Sequence, residues 1–390
     1  MRVGFVVGQF PMLSETFVIG QMAGLLRRGF KVDVVCNGIS DYNFADRQQE
    51  PLATLLARTR DWWGAAARFR PTIGRLPPKV YDKASTALDM SSVARLNECD
   101  VIVAHFGHNG ARAARLKKWK RLVPPIVTIF HGYDVGVPLK ERGLSRYGDL
   151  FEHGALNLTV NDYFRQVLVG AGAPEAKVAV HHMGIDLKKI PYEWKSWRGA
   201  TLQLISVCRL AEKKGVEYAL RALGRLRVDA PEVDWRYTII GDGPLRPQLE
   251  ALASELGIAS QVSFLGSLPH EEVKQWLKRS HAFVLPSVTA ANGDVEGIPV
   301  ALMEAMAAGL TVVSSTHSGI PELIEDQRTG FLATEKDVET LASRLRFIAE
   351  RPDECERIAG EARRKVEAEF DQQALDDDFA RILGRFARAG

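Results

Sequence analysis

Two carboxylates, Glu296 and Glu304, bracket an apolar run in the stretch from Asp294 to Gly309, which reads Asp-Val-Glu-Gly-Ile-Pro-Val-Ala-Leu-Met-Glu-Ala-Met-Ala-Ala-Gly. Pro299 suits the first turn of a helix, where a missing N–H is no loss, and Gly309 suits the residue just past its end. A helix is therefore expected from about Pro299 to Ala308. Its start leaves the amides of Gly297, Ile298 and Val300 without carbonyl partners, and with the helix dipole these form a site for an anion such as a phosphate. Glu304 sits in the middle of that apolar helix and requires partners there; its two oxygens match two hydroxyls on adjacent carbons, as on a ribose. On residue type alone, the commoner reading of such a pair is a loop acid and an exposed helix acid, both solvated.

Other polar groups fall where strands are expected to end. Arg209 and Lys214 follow a strand that begins at Leu202, and a planar fork and a point charge together could clamp a diphosphate without a metal. The alternative is a basic loop balanced by Glu212. Gly241 and Gly243 follow a strand from Trp235 to Ile240 and would let the backbone approach a base closely. His131 follows a strand from Ile126 to Phe130, where an imidazole can donate to a hydroxyl or phosphate oxygen. His105, in Ala-His-Phe-Gly-His, is read as lining the same end. The loop from Gln9 to Phe17 places Ser14, Glu15 and Thr16 beyond the first strand, either to touch a second substrate or simply to start a helix.

The segment around Glu296 and Glu304, with the later Ser-Gly-Ile-Pro-Glu-Leu-Ile at 318 to 324, resembles the E-x7-E signature of retaining glycosyltransferases of family 4. The Arg-x4-Lys-Gly of Arg209 to Gly215 and the Thr-x-x-His-Gly-x-Asp around His131 fit the same family. In place of the family's paired-glycine loop the chain has Phe-Pro-x-x-Ser-Glu-Thr-Phe, a form similar to members that assemble exopolysaccharides such as colanic acid and amylovoran.

The resemblance implies an α/β protein of GT-B fold, with two doubly wound Rossmann-like domains facing an interdomain cleft. Residues 1–187 would be the acceptor side, 188–370 the nucleotide-sugar domain, and 371–390 a C-terminal helix crossing back. It also implies roles. Glu296 and His131 would meet the donor sugar, Glu304 the nucleotide ribose, and Arg209 and Lys214 the diphosphate. From the residues themselves, Gly241, Gly243, Gly297, Ile298, Pro299 and Val300 are expected to surround the rest of the donor, with Ser14, Glu15, Thr16 and His105 on the acceptor side. The expected reaction is retaining transfer of a hexose from a UDP-linked nucleotide sugar to a lipid-linked exopolysaccharide intermediate, with no metal and no cofactor besides the donor. The rivals are a sugar-nucleotide epimerase of the same fold, a transferase acting on a soluble acceptor and a non-catalytic binder. A dinucleotide oxidoreductase would require a Gly-x-Gly-x-x-Gly turn that neither half carries.

Val3–Val7, a helix from about Ser14 to Arg28, and Val32–Cys36 read as βαβ with a right-handed crossover. Further strands are expected near 101–104, 156–160, 262–265 and 281–286, and an amphipathic terminal helix through Leu375, Phe379, Ile382, Leu383 and Phe386. The net charge of +3 over 390 residues gives no global attraction to nucleic acid. Cys36, Cys99, Cys208 and Cys355 are scattered without zinc or disulfide spacing. The opening apolar run is short for a signal segment, so a cytoplasmic protein is expected. Two basic stretches, Arg58–Lys83 with Trp62, Trp63 and Phe69, and Arg112–Arg121 with Trp119, suggest peripheral contact with an anionic membrane surface.

Overall fold

Residues 1–12, 15–40 and 50–387 are described in this computed structural model. By contacts the chain divides into two units, Met1–His181 with the segment from Gln373, and His182–Gln372. The division precedes the expected one at 187/188 for a local reason: the Ile185 amide donates to the Phe370 carbonyl, and Ile185 lies in the second unit's core.

The first unit is one parallel sheet of β1 (Arg2–Phe10), β2 (Lys31–Ile39), β3 (Thr59–Asp61), β4 (Val101–His105), β5 (Ile126–Phe130), β6 (Leu156–Thr159) and β7 (Val178–Val180), ordered β3-β2-β1-β4-β5-β6-β7. Both faces of β4 and β5 are covered, so every residue of the two strands is buried and, apart from Thr128 and His105, the sequence there is apolar without alternation. The helix expected from Ser14 runs Thr16–Arg27, with Glu15 at its cap position and no side-chain cap bond. Ser14 itself lies outside the described residues. The terminal helix Gln372–Gly384 buries Phe379, Ile382 and Leu383, and its Asp376 packs over Gly24, where a Cβ would collide with the carboxylate.

The structure corrects one surface expectation. Trp62 and Trp63 are core residues, 1% and 2% exposed, and cannot serve a membrane. Trp63 Nε1 donates to Asp89 at 2.8 Å; Arg112 pairs with the same carboxylate beneath the Trp62 ring. Arg70 pairs with Asp61 and lies over Trp63. The interleaving of Arg and Trp that looked like a surface pattern is thus largely internal cation–π and ion pairing. Phe69 and Trp119, about half exposed at 48% and 51%, remain outside. Lys79 is outside the residues whose side chains are described.

The second unit is also a parallel sheet, of β8 (Leu202–Val207), β9 (Trp235–Ile240), β10 (Val262–Gly266), β11 (Ala282–Leu285), β12 (Thr311–Ser315) and β13 (Phe331–Ala333), ordered β10-β9-β8-β11-β12-β13. Among the described residues, no helix in either unit is long and apolar enough to cross a membrane.

Asp33 on β2 is 1% exposed and faces Arg2, Arg58 and Arg95. Burial pushes its carboxyl up, but the three guanidinium groups outweigh that and hold it below its ordinary value of 3.8. Its stabilisation is therefore present above that pH and is lost only as pH falls through the lower folded value. Asp33→Ala is expected to cost about 3 kcal/mol in urea unfolding at pH 7, because three cations lose their counter-charge. The gap between variant and parent should narrow only below about pH 4.

Candidate active site

In the second unit the strand order reverses between β8 and β11, and the loops that leave their carboxyl ends lie side by side there, where open α/β sheets hold ligands. Gly215, at φ +64, closes the β8 loop; a Cβ there would stand 1.9 Å from the Pro286 carbonyl oxygen just past β11. The Val288 amide donates to the Lys213 carbonyl at 2.9 Å, which fastens the two loops together. Gly241, at φ +126, is equally constrained, since a Cβ would meet the Cys208 carbonyl at 1.9 Å. Gly243 packs on Leu210 in the same way.

Lys214 reaches across this junction to Glu296, Nζ to Oε2 at 2.9 Å, and Lys213 lies 3.6 Å from Oε1. Glu296 is 7% exposed, not a solvated loop acid. Burial alone would push the Glu296 carboxyl up and the Lys214 ammonium down, but each charge overrides this for the other, leaving Glu296 lowered and Lys214 raised. Both stay ionised. Oε1 of Glu296 is buried without a hydrogen bond among the described residues. Arg209, at the head of the same loop, is exposed, and its guanidinium has no ion pair among the described residues.

The helix after Glu296 runs Val300–Ala308, with Pro299 as its cap residue in an extended conformation, one position outside the expected start. Pro299 still supplies its carbonyl to the Leu302 amide. The amides of Gly297, Ile298 and Val300 have no acceptor among the described residues. Gly309 ends the helix at φ +96, as expected.

Glu304 is half-buried, beside a small cavity of about 40 Å³ lined by Ile190, His270, Val273 and Lys274. Its carboxyl is pushed up to about 7 by burial, with Lys274 only partly opposing. A larger cavity of about 820 Å³ is lined by Leu202 and Asp234, at the amino ends of β8 and β9, on the far side of the sheet from these loops. We assign it no part in the chemistry.

Three groups at this junction were not singled out from the sequence. His317, 1% exposed just past β12, accepts the Glu296 amide on Nε2 at 3.0 Å, and its Nδ1 meets Glu335 at 2.5 Å. Ser318 donates to the Glu296 carbonyl at 2.7 Å. Glu296 is thus held through its N–H, its C=O and one carboxylate oxygen. The available signal was a histidine just beyond a strand's carboxyl end, the same cue that singled out His131.

In the first unit, His131 follows β5 and is ringed by Phe17 and Phe106. Asp134 accepts the His131 and Gly132 amides, each at 3.0 Å, and the Gly107 amide at 2.7 Å, fixing the turn. His105 lies behind it, its Nδ1 2.9 Å from His131 Nε2. At 0% exposure His105 cannot line a substrate surface, which corrects its acceptor assignment: the last residue of β4 points into a sheet covered on both faces. Glu15 is half-buried and Thr16 exposed at the start of the first helix.

Two doubly wound parallel-sheet units, the second with cations and free amides at its switch point, have the architecture of the GT-B fold. Residues 14–189 match the family described as Glycosyltransferase Family 4, and residues 195–365 match that described as Glycosyl transferases group 1. Over 98% of its length the chain is 37% identical to WcaL of Escherichia coli (strain K12), named as a colanic acid biosynthesis glycosyltransferase, covering 99% of that protein. It is 34% identical over 99% of its length to the whole of AmsK of Erwinia amylovora, named as an amylovoran biosynthesis glycosyltransferase. The chain belongs to glycosyltransferase family 4, in the company of these two proteins. In fold it also matches the crystal structure of HepE from Anabaena in complex with UDP, at a TM-score of 0.76 and 18% identity over 99% of this chain and 100% of that one.

The raised Glu304 value has a stability consequence of definite sign. Between its ordinary value of 4.5 and about 7 the folded chain keeps a proton that the unfolded chain releases, so stability falls as pH rises through that window. Glu304→Gln removes the penalty. In urea unfolding the variant should match its parent near pH 4 and exceed it by about 2 kcal/mol at pH 8, because the half-buried carboxylate keeps some contact with solvent.

Proposed function

We propose that this glycosyltransferase moves a hexose, with retention of configuration, from a UDP-linked sugar to a lipid-linked exopolysaccharide intermediate at the cytoplasmic face of a membrane. The observation that carries the reading is the junction of the β8 and β11 loops, where Lys214, the unpaired Arg209 and the open amides of Gly297, Ile298 and Val300 belong to one small region. As the glycosidic bond breaks, the leaving diphosphate gains negative charge. Fixed cations and amides meet that charge where it develops, which lowers the barrier and makes a metal unnecessary.

Glu296 is held ionised by Lys214, so it is poorly suited to give up a proton; its spare Oε1 instead suits a hydroxyl of the transferred sugar. Glu304 takes the ribose hydroxyls, Gly241 and Gly243 admit the base, and His131 contacts the transferred sugar, as the family resemblance implies. Retention then proceeds by same-face attack, with a phosphate oxygen of the leaving group accepting the acceptor's proton. Glu15 and Thr16, with Ser14, are assigned to the acceptor. The exopolysaccharide reading is supported by the names of WcaL and AmsK, and the UDP reading by the UDP in HepE.

Arg209 gives the cleanest test because its exposed side chain supports nothing else. Arg209→Ala should lower kcat/KM roughly 100-fold with labelled UDP-hexose and membranes as acceptor, the size expected for one donor to a developing charge, while Tm is unchanged. Unchanged turnover would remove it from the site. Activity should survive EDTA, and the product should keep the donor's anomeric configuration by NMR. Release of an isomerised free sugar nucleotide without acceptor would mark an epimerase. Of UDP-glucose, UDP-galactose and GDP-mannose, a UDP-sugar should raise Tm most.

Membrane attachment on this reading uses the exposed Phe69 beside Arg68 and the exposed Trp119 beside Lys120 and Arg121. Co-sedimentation with anionic liposomes at low salt should fall when Phe69 and Trp119 are both changed to Ser, and no binding by the parent protein would end the proposal.

A further inference from the structure

The imidazole of His131 is bonded to a second imidazole that substrate cannot reach, and the surroundings of that second ring decide where both carry their protons. His105 Nδ1 and His131 Nε2 are 2.9 Å apart, within reach of an N–H···N bond, and the ring planes differ by only 14°. Burial lowers the pKa of both rings, His105 to about 3, so both are neutral and each carries a single proton. Two arrangements satisfy the bond. His131 can donate through Nε2, which leaves the His105 proton on its own Nε2; or His105 can donate through Nδ1, which leaves the His131 proton on Nδ1.

The far edge of His105 distinguishes them. Its Nε2 is buried without a partner among the described residues, beside the Phe5 ring. A buried N–H without an acceptor is rare and costly, whereas an unused lone pair is tolerated better. The proton therefore avoids Nε2 of His105. We propose that His105 is a positioning residue that locks His131 in its Nδ1–H form, so that the half-buried His131 offers a hydrogen-bond donor and not a lone pair. Among the described residues that Nδ1 has no partner. In this form His131 recognises an oxygen acceptor, a sugar hydroxyl or a phosphate oxygen, and is excluded as a general base, because its only other ring nitrogen is engaged by His105.

The kinetic consequence rests on the proposed contact between His131 and the transferred sugar, but the protonation pattern does not, so the two are read separately. In full-length protein with 15N-labelled histidine, long-range proton–nitrogen correlation spectra report which ring nitrogen carries hydrogen, with His131→Gln identifying the signal. His131 should be Nδ1–H across pH 6 to 8 in the parent. It should stay so in His105→Asn, whose amide nitrogen occupies the Nδ1 position, and should give way to a mixture of the two neutral forms in His105→Leu, where neither ring nitrogen of His131 has a fixed partner. In turnover assays His105→Asn should keep kcat/KM near the parent's, while His105→Leu should lose roughly tenfold, the worth of about one hydrogen bond. His105→Leu should also gain an acid limb in its pH profile as the freed His131 begins to titrate. A parent spectrum with His131 protonated on Nε2 overturns the proposal whether or not either variant folds. A correct spectrum with unaltered kinetics in His105→Leu would leave the protonation pattern standing and remove His131 from the donor sugar.

Discussion

The buried ion pair between Lys214 and Glu296 is the constraint on which the second unit's ligand end depends. Taking either charge out of water alone would cost several kcal/mol, so each is tenable only because the other is within hydrogen-bond distance. The pair spans two loops far apart in sequence, and what brings the loops together is topology. β8 and β11 are neighbours in the sheet although β9 and β10 intervene in the chain, so the connections at their carboxyl ends diverge to opposite faces and leave a crevice between them. A chain with the same residues and a simple sequential strand order would not place them in contact.

Backbone geometry then fixes the crevice at short range. Gly215 and Gly241 both adopt positive φ and both lie where a Cβ would strike a carbonyl oxygen of a neighbouring strand's loop. The restriction is therefore twofold, conformational and steric, and it lets the loops after β8, β9 and β11 approach more closely than side chains would permit. The bonds from His317 and Ser318 to the Glu296 backbone act in the same direction. They hold the peptide groups on both sides of Glu296, so the amides that follow it are aimed before any ligand arrives, which is the condition for electrostatic stabilisation without reorganisation.

Much of this was legible from residue type and order. Strands β5 and β9 run over the expected residues, and the helix after Pro299 differs by one position, because continuous apolar runs ended by Gly, His or Pro leave little freedom. The edges were less legible. β1 and β2 extend to Phe10 and Ile39, beyond their apolar stretches, since pairing with each other continues where hydrophobicity stops. Partners separated by long loops were not legible at all. Nothing in the local sequence of Trp62, Asp89 and Arg112 says that they meet, so a core cation–π contact was read as a surface pattern. His317 and His105 were opaque for the same reason: their roles come from contacts with Glu296 and His131 across the sheet, not from their own neighbours in the chain.

Three buried acids of the first unit contrast with Glu296 of the second, and the contrast bears on which residues can do chemistry. Asp33 and Asp89 are buried and surrounded by cations or donors, and Asp134 is buried among backbone amides; all their valences are spent on holding strands and turns together. At the β8 and β11 junction the balance is left incomplete: Glu296 keeps an oxygen with an ion pair but no hydrogen bond, Arg209 has no ion pair among the described residues, and the amides of Gly297, Ile298 and Val300 have no acceptor there. An isolated deficit of this kind would be a simple loss of stability, of about 1 to 3 kcal/mol for each buried group. Here one spare acceptor lies among several spare donors of positive character, the complement of a molecule with hydroxyls at one end and a diphosphate at the other. A ligand carrying both would supply the missing hydrogen bonds at once, so the unsatisfied groups would contribute to its binding rather than cost stability.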